Sequence, residues 1–560
     1  MKTLWFATSI KISGCVVLLL PFCFSMTFAQ SNPFSRYYRN ELIQKVTVPA
    51  TEILGKTREG RVYLTQEDVI AMALQQNLNV NVERHNYLFD LWAIQRQRSV
   101  YDPTGTLDFS WNRQATPTAS VLQGGLSVTD ILTSHRYGYR QNFSTGSSLE
   151  VNFTGIRNNT SSFFASLAPA INTSMEFLFR QNLLEGFGRI GAEYEIEISR
   201  NTLDITSQEF QRVAQDIILD VLNRYWELQF SLQDIQVKQK SLEYATRVLE
   251  QNRSRFDVGT AARLEIVQSE AEAASRREEL IRSQFNYRLT QDQLVQLITS
   301  YQDPGHFTGE IIPSTALYTP EPIPQSFENL QAMADEMHPQ IQQMELDILN
   351  QQVKLNLSRD RLRPTLDLVA GYSQFGSGGR RLFLDFTKGF TNAEVVKIVD
   401  GGLRDSISQL FSSDFYGYVL GLNLQLPIFN TEARAQNAQA QISLDRAELR
   451  QESVKQTVSL SIRHALTQIE MNHARLEAAQ ATVLFSQERL EGEGIRFEVG
   501  IGTTRELIEA QRDLLEAESV LLRGQTDLIQ SHHLLDNALG RTFERYKIRL
   551  DEALKKNIRY

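Results

Sequence analysis

One pentapeptide occurs twice in this chain. Arg255-Phe256-Asp257-Val258-Gly259 returns as Arg496-Phe497-Glu498-Val499-Gly500, 241 positions later. At the same spacing Leu249-Glu250 meets Leu490-Glu491, Glu265-Ile266-Val267 meets Glu506-Leu507-Ile508, and Leu294 meets Leu535, all without a gap. A long stretch of helical periodicity runs into each glycine and another runs out. The motif therefore reads as the tip of a hairpin of two very long helices, made once in each half of a duplicated chain. Glycine suits such a tip because it takes a left-handed backbone conformation at no steric cost.

The duplication outweighs length as a guide to domain number. A formal net charge of −9 argues against a nucleic-acid-binding surface. Beyond the extreme N-terminus no run approaches the ~20 apolar residues of a membrane-spanning helix. Residues 1–29 read as a signal peptide, with Lys2 and Lys11, the apolar run Val16–Leu20, and a small-residue cleavage site at Thr27-Phe28-Ala29. Cys15 and Cys23 both lie inside it, so the mature chain holds no disulfide, reactive thiol or cysteine-ligated metal.

Residues 30–63 form an extended lead-in, and 64–302 the first repeat. Its opening helix starts at Thr65, with Asp68 completing a capping box, and runs to Asp102-Pro103. Ala71-Met72-Ala73 and Pro103 recur 261 positions on, as Ala332-Met333-Ala334 and Pro364, in the second repeat, 326–540. The offset then drops from 261 to 241, so the first half carries 20 extra residues between its proline and its tip glycine. Residues 303–325 hold five prolines and read as a linker, and 541–560 as a charged tail.

Between the helices, over about 105–182 and 365–428, the period changes from 3.6 to 2. Leu107, Phe109 and Trp111 alternate with polar residues, as do Leu149, Val151 and Phe153, and Leu420, Leu422 and Leu424. With aromatic residues near strand ends (Trp111, Tyr137, Tyr372, Tyr418), these suit a transmembrane barrel better than a soluble sandwich. A hairpin around residues 137–155 is surplus to two strands per half. Residues 115–135 and 376–413 read as loops, the second with a short helix near Ala393–Val399; its glycines lack the Lys-Ser/Thr pair of a phosphate loop. The long helices are expected at about Glu193–Phe256 and Arg263–Ile298, then Glu432–Phe497 and Thr504–Leu539.

These residues carry a family likeness. Leu64-Thr65-Gln66-Glu67-Asp68 with Ala73-Leu74 and Asn77, Gln181-Asn182-Leu183-Leu184-Glu185-Gly186-Phe187-Gly188-Arg189, Leu426-Pro427-Ile428-Phe429 and the two tips resemble, in order, the TolC-type outer-membrane efflux channel family. Asn182 stands where the family often has proline. The resemblance implies a homotrimer in outer-membrane lipid, with a periplasmic helical tunnel and a shared twelve-stranded barrel, four strands per protomer. It implies partners as well: a periplasmic adaptor received at the tips by Val258, Gly259, Val499 and Gly500, and an inner-membrane transporter. It further implies acidic rings that gate the tunnel, at Glu506 and Glu509 in the second repeat and Glu265 in the first; Gln268 carries no charge. Where the family places a locking arginine this chain has Gly502, leaving Arg505 as a nearby substitute.

For these acids the plainer reading is a helix first turn, where carboxylates favour the dipole. A periplasmic coiled-coil adaptor and a rod-like envelope protein are the rival functions; an adaptor would show one hairpin and no paired alternating strands. No catalytic motif, cofactor fingerprint or metal-ligand spacing is present, and adjacent His532 and His533 point to different helix faces. The sequence thus predicts a non-enzymatic, mainly helical channel protein with a small β part.

Overall fold

A computed structural model describes residues 57–58, 61–118, 126–162, 165–299, 309–321, 323, 325–385, 387 and 394–549; the signal segment, most of the lead-in and the end of the tail lie outside them. Strand β1 (Thr57–Arg58) pairs with β2 (Arg61–Leu64). Thr65 then caps α1 (Gln66–Gln76): its hydroxyl accepts from the Asp68 N–H, and the Asp68 carboxylate accepts from the Thr65 N–H. The opening helix does not run on to Pro103 as expected. It breaks at Asn77, whose side-chain oxygen accepts from the N–H groups of Asn79 and Val80 and starts α2 (Leu78–Arg98). An asparagine offering its own acceptor to the backbone competes with a continuous helix.

Four strands follow, β3 (Thr104–Pro117), β4 (Ser127–Asn142), β5 (Ser147–Thr160) and β6 (Leu167–Asn182). The first long hairpin is α3 (Arg189–Asp257) with α4 (Arg263–Ile298). At ~1.5 Å per residue, the 69 residues of α3 span roughly 100 Å. In the expected linker, β7 (Glu310–Pro313) runs parallel to β2 and ends on a proline that cannot donate to a ladder. The second half holds α5 (Phe327–Met337), α6 (Pro339–Asp360), β8 (Thr365–Asp385), β9 (Glu394–Val399), α7 (Leu403–Ser412), β10 (Tyr416–Gln425), α8 (Thr431–Glu498), α9 (Thr504–Ala538) and α10 (Thr542–Arg545).

The two offsets hold element by element. α1, α2 and β3 begin 261 positions before α5, α6 and β8; α3 ends and α4 begins 241 positions before α8 ends and α9 begins. Even the helix break recurs, with His338 capping α6 where Asn77 caps α2.

The short helices pack around the middle of the long ones. Phe210, Ile218, Tyr225 and Trp226 of α3 are buried with Val69 and Ala73 of α1, Val80 of α2 and Ile311 of β7. The Tyr225 hydroxyl donates to the Leu64 carbonyl and accepts from the Thr315 N–H, stitching the linker to the first repeat. A second cluster joins Leu330, Ala334 and Ile341 to Ile462 and Ala465 of α8 and to Leu528 and Leu535 of α9.

The strands form one antiparallel path, β10-β8-β6-β5-β4-β3, with β9 paired to the far end of β8. By the repeat offsets β8 answers to β3 and β10 to β6, which supplies the four strands expected. β4 and β5 are two more, a hairpin inserted between β3 and β6, so the path contains six strands. The loop expected over 115–135 is strand at both of its ends, because β3 continues to Pro117 and β4 starts at Ser127. Polar residues on both faces of the first half of β4 (Asp130, Thr133, Ser134, His135) hide it from an alternation test; pairing on both sides makes it a strand. Residues 394–399 are a strand instead of the expected helix, since Val395, Val396, Ile398 and Val399 are β-branched and the segment pairs with β8. The helix comes later, as α7.

Directly opposed residues in an antiparallel ladder share a face. One row across all six strands reads Gly105, Tyr139, Val151, Phe177, Tyr372, Tyr418. The adjacent row, on the other face, reads Thr106, Gly138, Asn152, Glu176, Ser373, Gly417. At this level the sheet is thus apolar on one side and polar on the other across all six strands of the path. Toward the far end of the apolar-side face, α7 lies against β6 and β8, with the Thr173 and Ser406 hydroxyls 2.8 Å apart. Gly376 and Gly378 make that approach possible, because a Cβ at either would collide with the α7 backbone.

Candidate functional site at the hairpin tips

Both tips close in the same way. The Gly259 N–H donates to the Phe256 carbonyl at 2.8 Å and the Thr260 N–H to the Arg255 carbonyl at 2.8 Å; Gly500 to Phe497 and Ile501 to Arg496 repeat the pair at 3.1 and 3.0 Å. This is a Schellman cap, with the glycines at φ of 80° and 82°. Val258 and Val499 stand out from the caps, 74% and 71% exposed, beside exposed Leu264, Val267 and Ile501. The four expected docking residues therefore lie at the free ends of the two hairpins.

The acidic residues lie just past the tips, on the first turns of the return helices. Glu506 is the third residue of α9, and its carboxylate accepts from the Thr503 N–H and hydroxyl, both at 2.9 Å. Those bonds hold its pKa below the usual carboxylate range. Glu509 accepts from Arg505 Nε at 2.9 Å, which lowers its pKa and raises that of Arg505. Arg505 is thus paired within its own helix, four residues from its partner. Glu265 is placed differently: its carboxylate accepts from the Thr504 hydroxyl at 3.3 Å, across the seam between the two hairpins.

That seam holds residues that the sequence pattern did not single out. Asn252 is fully buried; its amide donates to the Ser269 hydroxyl at 2.8 Å and its oxygen accepts from the Thr504 hydroxyl at 3.4 Å. Val248, Phe497 and Leu507 pack together beside it, and the Arg255 guanidinium sits over the Phe497 ring. A buried asparagine in a helical apolar register was the one available signal. Among the described residues, no group of three or more His, Cys, Asp and Glu could hold a metal. His532 and His533 are buried, while His464 and His473 are solvated. No described helix is long and apolar enough to cross a membrane.

Comparison with known proteins agrees with this architecture. The sequence profile of the family described as outer membrane efflux protein matches residues 179–300 and 330–541. The outer membrane efflux protein BepC of Brucella suis is 22% identical over 328 residues, 58% of this chain and 64% of BepC, just under two thirds of that protein. The outer membrane protein TolC of Vibrio cholerae is 22% identical over 361 residues, 62% of this chain and 73% of that one. The crystal structure of the CmeC outer membrane channel of Campylobacter jejuni superposes with a TM-score of 0.59 at 14% identity, covering 88% of this chain and 89% of CmeC, and so shares the fold. The chain belongs to the outer membrane efflux protein family.

Proposed function

We propose that the protein is the outer-membrane exit duct of a tripartite efflux or type I secretion assembly. It works as a homotrimer that passively conducts substrates from periplasm to exterior, docked at its tips to a periplasmic adaptor and an inner-membrane transporter. The observation that carries this reading is the two-faced sheet standing at the end of helical hairpins roughly 100 Å long. An apolar outer face suits lipid and a polar inner face suits a water-filled pore. One chain leaves β3 and β10 as open edges, which lipid does not tolerate. A soluble adaptor or a rod would leave the apolar rows without a partner.

The helices support a ring of copies. Inside one chain α3 and α9 form a seam in which Arg523 bonds Glu227 and lies over Phe230. By the 241-residue offset the counterpart surfaces are α8 and α4, and these carry the exposed residues Met471, Ile281, Phe285 and Leu289. A neighbouring copy would cover them.

At the tips Glu506 and Glu509, with Glu265 beside them, would form rings of negative charge that attract cations and oppose closure by mutual repulsion. Arg505 tempers the Glu509 ring within each chain. Val258, Gly259, Val499 and Gly500, with their exposed apolar neighbours, form the docking surface for the adaptor.

The test is single-channel conductance of the purified protein in a planar bilayer, wild type beside Glu506→Gln/Glu509→Gln. Small cation-selective currents that lose selectivity in the variant are expected. Unchanged selectivity would remove the gate, and no insertion of a folded oligomer would remove the channel.

A further inference from the structure

The path from β10 to β3 contains six strands, with β9 paired to the far end of β8 besides, where a twelve-stranded trimer needs four. The two additional strands occupy the middle of the path, with β3 and β6 on either side. Their connecting turn sits at the helical end of the sheet. There the Asn182 N–H donates to the Gly146 carbonyl at 3.4 Å, and the Gly188 N–H and the Gln181 amide donate to the Thr145 carbonyl at 3.1 and 3.0 Å. The β4–β5 hairpin therefore reaches the level at which β6 leaves the sheet for α3. It also keeps the face pattern of its neighbours: Tyr137 opposes Phe153 on the apolar side, ring centroids 6.0 Å apart, while Asn152 and Glu150 lie on the polar side.

From this we infer that each copy contributes six membrane-crossing strands, so that three copies close a barrel of eighteen. The inference rests on the channel reading above. Six antiparallel strands leave the edge strands β10 and β3 running in opposite directions, so β10 of one copy meets β3 of the next as an antiparallel pair. An even strand count is what closed antiparallel barrels of this class require, and one of eighteen leaves an open aqueous lumen. Barrel diameter grows roughly in proportion to strand number, which makes this wall about half as wide again as one of twelve. The narrowest passage then lies in the helical part, and the membrane segment admits whatever the tips release.

Twelve strands could also come from two copies of six, so copy number and strand placement must be measured together. The full-length protein would be reconstituted in lipid nanodiscs, its copies counted by native mass spectrometry. Single cysteines carrying a fluorophore at Phe153→Cys (β5, apolar side), Asn152→Cys (β5, polar side) and Leu422→Cys (β10, apolar side) would be exposed to brominated lipid. The expected result is three copies, similar quenching at positions 153 and 422, and little at 152. Three copies with quenching at 422 but not 153 would put the inserted hairpin outside the membrane and overturn the inference. Two copies with both quenched would overturn it in favour of twelve strands. Quenching at neither would remove the channel reading itself.

Discussion

The guanidinium carbon of Arg255 lies 4.9 Å from the ring centroid of Phe497, so the arginine of the first tip motif rests on the phenylalanine of the second. The reciprocal contact is not made within one chain. Arg496 pairs with Glu493 of its own helix at 3.0 Å, and Phe256 is 41% exposed where Phe497 is 7% exposed. Tip motifs of nearly identical sequence have thus become inequivalent.

Substitution should reveal that inequivalence. Phe497→Ala empties the small tip core and should cost about 3 kcal/mol against local opening, whereas Phe256→Ala should cost far less. Limited proteolysis of the purified oligomer reads this as faster cleavage near residues 496–502 in the first variant only. Equal cleavage in both would mean that the tip core does not join the hairpins.

Cation selectivity should survive mild acid. The hydrogen bonds from Thr503 to Glu506 and from Arg505 to Glu509 depress both carboxyl pKa values, so both groups stay ionised through the range where ordinary carboxylates begin to protonate. The Arg505→Gln variant removes the depressing partner of Glu509 and exposes its charge. Selectivity should then rise at neutral pH and fall off at higher pH than in the wild type. Reversal potentials measured across a salt gradient at several pH values decide the matter.

The subunit seam has a specific expected pair. Ser519 and Asp234 meet at 3.0 Å inside the chain, and 241-residue counterparts of the two are Glu278 and Arg475. These should approach between neighbouring copies in a trimer and form an ion pair there. The double variant Glu278→Cys/Arg475→Cys should give covalent dimers and trimers on oxidation, while either single variant should not. A monomer band alone after oxidation would argue against a ring with this seam.

Acid should weaken the helical core through His533. Burial, with Arg545 and His532 nearby, pushes its pKa down to about 3. Below pH 6.5 the unfolded chain takes up a proton that the fold excludes, so stability falls as pH drops from the ordinary histidine value toward about 3 and levels off below it. Thermal unfolding at stepped pH should show this slope, and His533→Asn should flatten part of it. An unchanged slope would assign the acid sensitivity elsewhere.

The long hairpins were legible because three cues coincide in each: helical periodicity, a repeated tip motif and a gap-free offset. The expected span Arg263–Ile298 is the observed α4, and the other long helices begin or end within a few residues of expectation. The strand count was only partly legible: the surplus hairpin about residues 137–155 showed, but Asp130, Thr133, Ser134 and His135 put polar residues on both faces of β4, whose full length rests on partners on either side. The tip seam was hidden for a different reason. Thr504 and Asn252 are 252 residues apart, and nothing local to either marks the other as its partner. The acid positions were found through the family likeness, whereas the capping role of Glu506 follows from its place three residues after a threonine.

The inserted hairpin also bears on how such walls change size over evolutionary time. A single added strand would have reversed the direction of β6 and sent α3 out of the wrong end of the sheet. Two added strands return the chain to the level it left, with the same face turned outward and the same exit to the helices. Variation in wall width is therefore stepwise. On the channel reading proposed above, each hairpin gained or lost would be multiplied by the number of copies, while the helical hairpins that follow the sheet would keep their own joints.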